Sequence, residues 1–113
     1  MTPDQHLELL HAATIAIVRR GNDLTARQQA VFLTVHLNGG PHTVRGMATA
    51  LNVNKPAITR AIDKLEAMDL VRREEDSQDR RSVLVKRTAK GVAFLREMRR
   101  IVGSAAGAVR EAA

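Results

Sequence analysis

The chain has no cysteine, no tryptophan, no tyrosine and only two phenylalanines among its 113 residues. The missing thiols exclude disulfides, thiolate zinc sites, iron–sulfur clusters and cysteine redox sensing, and they suit a reducing, cytoplasmic setting. No apolar run approaches the ~18 residues that a membrane-spanning helix needs. The opening stretch MTPDQHLELLHAA lacks the basic-then-apolar order of a secretory signal. A cytoplasmic protein without a membrane partner is therefore expected. Base stacking on exposed rings, the usual grip on single strands, has almost no residues to use. The four histidines, His6, His11, His36 and His42, include no pair at the i, i+4 spacing that puts two imidazoles on one helix face. No metal site or cofactor is expected. No nucleophile–base set, paired carboxylates or phosphate-binding glycine loop stands out, so an enzyme is not expected either.

What the sequence does have is basic charge in one place. Lys and Arg number 18 against 12 acids, a net charge of +6. Residues 1–44 and 101–113 are each neutral, so the whole excess lies between 45 and 100, with 14 bases and 8 acids. A basic centre between neutral ends is the electrostatic footprint of a module that meets polyphosphate. With so few aromatics, duplex DNA fits better than a single strand.

Hydrophobic spacing and capping signals divide the chain. Thr2-Pro3 opens a helix that ends at Arg19-Arg20-Gly21, with Leu7, Leu10, Ile15 and Val18 near helical spacing. Thr25 with Gln28 is a capping-box pattern for a second helix, which buries Val31, Phe32 and Val35 and stops at Asn38-Gly39-Gly40-Pro41. Thr43 caps a short helix from Val44 to Leu51. Asn52-Val53-Asn54 then turns the chain into a helix through Ile58, Ile62 and Leu65 to about Met68. Two helices joined by so short a turn form a helix-turn-helix. The N-terminal half of its second helix carries Asn54, Lys55, Ala57, Thr59, Arg60 and Lys64, where major-groove contacts are made in this motif. Asn and Arg are able to pair bidentately with adenine and guanine, while Lys55, Thr59 and Lys64 suit phosphates equally. Two β-prone runs, Leu70–Glu74 and Ser82–Lys86, flank a charged loop and read as a hairpin, the wing, about 71–86. Thr88 starts a last helix through Phe94, Met98 and Val102, followed by a small-residue end expected to fray. The fold class is mainly α with a small β-hairpin, a winged helix-turn-helix over 24–87. It is a single domain over 1–113, flanked by helices over 1–21 and 88–113.

From Leu24 to Gly91 the sequence resembles the MarR (multiple-antibiotic-resistance repressor) family of bacterial winged-helix regulators. The shared residues are Leu24-Thr25 with Gln28, Met47-Ala48, Leu51-x-Val53-Asn54, Ile58-Thr59-Arg60, Ile62-Asp63-x-Leu65-Glu66, Leu70-Val71-x-Arg73, Asp79-Arg80-Arg81 and Thr88-x-x-Gly91. The resemblance implies a homodimer on pseudo-palindromic DNA, with one recognition helix per subunit in the major groove. It implies that Arg81 reaches the minor groove, with Arg80 beside it and Asp79 bracing the loop. Thr43, Arg45, Arg72 and Arg73 are candidates for phosphate contacts. It also implies a small-molecule effector of unspecified identity and, in family members, a further helix after the last one here. The dimer would then rest on the first and last helices. Two residues depart from the family pattern: Asp69 stands where glycine is usual, and Arg87 where leucine is usual. The alternative reading is a winged-helix protein-interaction module, or an antagonist that pairs with another regulator.

Overall fold

A side-chain oxygen stands at the head of every helix in the computed structural model, which describes residues 1–112. Thr2 accepts from the Gln5 N–H at the start of α1 (Pro3–Arg19), and Thr25 accepts from Gln28 at the start of α2 (Ala26–Leu37). In both, the glutamine side chain reaches back to the cap's own N–H, which completes the capping box. Thr43 caps α3 (Val44–Leu51) through Gly46, and Asn54 caps α4 (Lys55–Ala67) through Ala57. Thr88 accepts from the Gly91 N–H at the start of α5 (Ala89–Glu111), while its hydroxyl donates to the Asp69 carbonyl. Each such cap contributes about 1 kcal/mol.

Contacts divide the chain into two units, Leu24–Phe94 and a second made of Met1–Asp23 with the chain from Leu95 onward. In the first, Val31, Phe32 and Val35 of α2 are fully buried with Ile58, Ile62 and Leu65 of α4. At roughly 1.5–3 kcal/mol for each large apolar side chain buried, this set is the main attraction holding α2 and α4 together. Met47 and Ala48 add the inner side of α3. Phe94 meets the edge of Phe32 with ring centres 5.2 Å apart, and the His36 ring stacks on Phe32 at 4.4 Å.

The strands are β1 (Val71–Glu75) and β2 (Val83–Arg87), antiparallel with Arg72 opposite Lys86 and Arg73 opposite Val85. They lie one residue later than the sequence suggests. An isolated two-stranded hairpin is marginal in water, and this one has two supports. Thr43 bridges to Leu84 and the Val85 N–H donates to the His42 carbonyl at 2.9 Å, while Leu70, Val71 and Val85 sink into the core. Asn52 and Asp69 both adopt left-handed φ, +56° and +60°, at the ends of α3 and α4. Asp69 thus takes the conformation for which a glycine would serve, at modest cost for a short polar side chain. Arg87 occupies no core position. Its Nε donates to the Val35 carbonyl at 2.9 Å and an Nη to that of Asn38 at 2.8 Å, so it closes the C-terminus of α2 with a cation, which the helix dipole favours.

In the second unit, α1 buries Ala13, and α5 buries Met98, Ile101, Ala105 and Val109 at helical spacing. Arg20 pairs with Glu97, which Arg100 also holds. The helix continues to Glu111 instead of fraying near Gly103, because burial of Ala105 and Val109 supports its last turns. The side of α1 turned away from the half-buried Leu9, Ala12 and Ala16 is apolar too: Leu7, Leu10 and Val18 are 65%, 61% and 53% exposed.

Candidate nucleic-acid interface

α4 presents its polar side to solvent because its apolar residues, Ile58, Ile62 and Leu65, recur at the spacing of a single buried face. Lys55, Thr59, Arg60 and Lys64 fall on the exposed side. Thr43 and Arg45 at the head of α3, Lys55 and Thr59 of α4, Arg73 of β1, and Arg81 and Ser82 of the wing line one groove of about 220 Å³. Three elements distant in sequence thus put Arg45, Lys55 and Arg81 around one concavity. Cations around a concave surface sum their fields and raise the local concentration of an anionic partner. The Arg81 side chain is 90% exposed, and the Asp79 carboxylate accepts from its backbone N–H at 3.0 Å and more weakly from its Nε at 3.5 Å. Asp79 therefore shapes the turn that carries Arg81. Arg80 beside it is exposed.

Arg60 lies on a different flank of α4. It lines a second cleft with Thr25, Arg27 and Gln28 at the start of α2. Arg27 was not among the residues expected from sequence. Its signal was present, an arginine two places after the capping Thr25, but nothing local to the sequence puts the start of α2 beside Arg60. Lys64 is exposed one turn beyond Arg60 and lines neither cleft.

Four expectations need correction. Asn54 accepts from the Ala57 N–H at 2.8 Å through its side-chain oxygen, which holds the amide as the cap of α4 and leaves it no freedom to align bidentately with adenine. Ala57 is only 5% exposed and packs inward, where it has no surface to offer a base. Arg72 points away from the groove and lines the outer side of the hairpin with His42 and Lys86. Arg73 is tied to α4 and is not free for a phosphate. Its backbone N–H donates to Glu66 at 2.9 Å, and its guanidinium donates to the other Glu66 oxygen at 2.6 Å, to Asp63 and to the Thr59 carbonyl at 3.1 Å. Strand alternation explains the split between these neighbours, because adjacent side chains on β1 leave opposite faces of the hairpin.

This knot sets the local electrostatics. The Arg73 backbone N–H, with the guanidinium behind it, holds the Glu66 carboxyl below its ordinary value. Burial opposes the charge on Arg73, but the hydrogen bonds it donates to Asp63 and Glu66 outweigh this and raise the guanidinium pKa. Both acids of the exposed side of α4 are thus neutralised from behind. Of the cations that line the groove, Arg73 is thus spent on α4, while Arg81 meets only the weak Asp79 contact.

His36 is the one buried histidine, while His6 and His11 are exposed. No cluster of three metal-ligating side chains occurs among the described residues. No helix among them is long and apolar enough to cross a membrane.

Residues 24–83, from the capping of α2 to the second strand of the wing, match the sequence model of the MarR family. The chain belongs to the MarR family. MarR-family architecture recurs in the solved structures it resembles. The transcriptional regulator BldR from Sulfolobus solfataricus is 32% identical, with 92% of this chain and 81% of that one covered at a TM-score of 0.63. CouR from Rhodococcus jostii RHA1, solved with p-coumaroyl-CoA, is 28% identical over 88% of this chain and 68% of its own, at 0.68. MepR of S. aureus, solved with DNA, shares the fold at a TM-score of 0.74 and 20% identity, covering 84% of this chain and 77% of MepR. This MarR-family chain is a winged-helix transcriptional regulator and not an enzyme.

Proposed function

We propose that this MarR-family protein binds specific duplex DNA as a homodimer and acts as a repressor by occupying its operator. One observation carries the reading: the groove where Arg45 of α3, Lys55 and Thr59 of α4 and Arg81 of the wing converge. The start of α4 enters the major groove, with Lys55, Thr59, Arg60 and Lys64 on bases and phosphates, and Arg81 enters the minor groove beside it. Thr43, Arg45 and Arg27 take backbone phosphates, which position without specifying. The DNA complex of MepR, a protein of the same fold, supports this reading. Homodimerisation, through α1 and the far part of α5, covers the apolar outer side of α1 and sets two recognition helices on a pseudo-palindrome. The reading places the protein in the cytoplasm, where its DNA is. A small-molecule effector is part of the proposal, supported by the ligand complex of CouR.

The test is selection of bound fragments from a random duplex pool, followed by titration at several salt concentrations. An inverted repeat is expected, with log affinity falling linearly in log salt at a slope near −0.9 for each phosphate neutralised. Enrichment of no sequence, or binding indifferent to salt, defeats the reading.

A further inference from the structure

Another concavity of the Leu24–Phe94 unit lies apart from the DNA groove. It is a cleft of about 550 Å³ on the outer side of the hairpin, within the 300–1,000 Å³ usual for small-ligand pockets. Its floor and one wall are apolar: Val35 at the end of α2, Pro41, Leu84 and Val85. Its polar rim is Arg72, Lys86, Arg87 and His42, and no carboxylate lines it.

One feature of this rim is costly without an anion, and a second favours the capture of one. Arg72 and Lys86 stand directly opposite each other on the two strands, so their side chains leave the same face of the hairpin. Like charges in that relation are destabilising. The one acid nearby, Glu74, meets only Arg72, at 3.3 Å, from an exposed position outside the cleft. Arg87 is already ordered, its Nε and one Nη held by the Val35 and Asn38 carbonyls, and His42 is held by the same Asn38 carbonyl at 2.9 Å. A cation fixed in advance spends little entropy on capturing a ligand. The site combines one preordered guanidinium, two exposed cations facing each other, and an apolar floor.

We infer that this cleft binds a small organic anion, with its carboxylate or phosphate between Arg72, Lys86 and Arg87 and its apolar body on Val35 and Leu84. A bearing on DNA follows from strand alternation, because the residue after Arg72 is Arg73, which holds α4 through Glu66 and Asp63. That bearing rests on the DNA reading. The site itself does not, so its test is made on the free protein.

Hexanoate and hexyl phosphate are the probes, with 1-hexanol as the neutral control and sodium chloride matched for ionic strength. Amide NMR titration is expected to move the signals of Gly40, His42, Leu84 and Lys86 with both anions and not with hexanol. The ratio of the two affinities tells carboxylate from phosphate. Arg72→Gln combined with Lys86→Gln, both exposed positions, is expected to weaken anion binding at least tenfold while the NMR spectrum stays folded. Three results overturn the inference: equal shifts with hexanol, shifts centred on Lys55, Thr59 and Arg81, or unchanged binding in the double variant. A fourth is a double variant whose DNA affinity loses about two from its salt slope, which would make the rim part of the DNA footprint.

Discussion

Two arginines of the hairpin do unlike work, and the difference lies in what surrounds each guanidinium. Arg81 is 90% exposed on the wing tip, with one weak carboxylate contact. Arg73 is 27% exposed and shared among Asp63, Glu66 and a backbone carbonyl. Arg81→Ala is therefore expected to leave stability within ~0.5 kcal/mol of the parent, as surface changes usually do. It should weaken operator binding by about tenfold, lower the salt slope by about one and soften preference at the flanking A·T pairs. Arg73→Met should do the reverse in part. It leaves Asp63 and Glu66 facing each other, costs about 1–2 kcal/mol in urea denaturation, and weakens binding without relaxing preference at the flank. Parallel urea melts and fluorescence titrations separate the two. If Arg73→Met changed only the salt slope, with stability intact, Arg73 would be a phosphate contact after all. Sequence alone sorts these arginines poorly, because Arg72, Arg73, Arg80 and Arg81 look alike until the hairpin register assigns each a face.

At the scale of elements, most of the winged helix is written in local signals. Thr25 with Gln28, Thr43, Asn54 and Thr88 mark four helix starts, and each makes the predicted cap. Asn54 shows the limit of such reading: sequence offers it both as the cap of α4 and as a base contact, and only the observed hydrogen bond shows the amide held as the cap. Arg87, Arg27 and His36 were not legible because each acts on a partner far along the chain. His36 joins α2 to the root of the hairpin, with its Nε2 donating to the Leu70 carbonyl at 2.9 Å and Gly91 packed against its ring, where a Cβ would lie 2.5 Å away. Its Nδ1 has no partner. Burial lowers its pKa below the ordinary 6.5, against the Leu70 hydrogen bond and with help from Arg87. A histidine held neutral in the fold binds its proton more readily once unfolded. Its contribution is complete above pH 6.5, shrinks as pH falls below that value, and stops shrinking once pH passes below the lowered folded pKa. Urea melts between pH 7.5 and 5 should show this loss, and His36→Gln, which is able to donate to Leu70 but not to titrate, should flatten it. A parent and variant with the same pH slope would remove His36 from the account.

For the whole molecule the deciding surface is the outer side of α1. Leu7, Leu10 and Val18 lie three and eight residues apart, which on a helix of 3.6 residues per turn keeps them on one stripe turned away from the half-buried Leu9, Ala12 and Ala16. The sequence shows the apolar positions but cannot say which side the chain itself covers. With Leu7 and Leu10 both more than 60% exposed, covering them from a second copy removes large side chains from water at about 25 cal/mol for each Å² buried. Leu10→Glu should therefore cost the monomer little and the dimer much. Light scattering on the parent is expected to give twice the 12.4 kDa chain mass at micromolar concentration, and the variant the single mass. Loss of the dimer carries a signature on DNA that a damaged groove would not. A monomer keeps its contacts to one half-site, so affinity for an isolated half-site should be unchanged while affinity for the inverted repeat falls to about the same value. The parent owes its advantage on the full site to the second contact being intramolecular, typically a factor of 10²–10⁴. If Leu10→Glu bound the full site as tightly as the parent, the stripe on α1 would not be the surface that joins the two recognition helices.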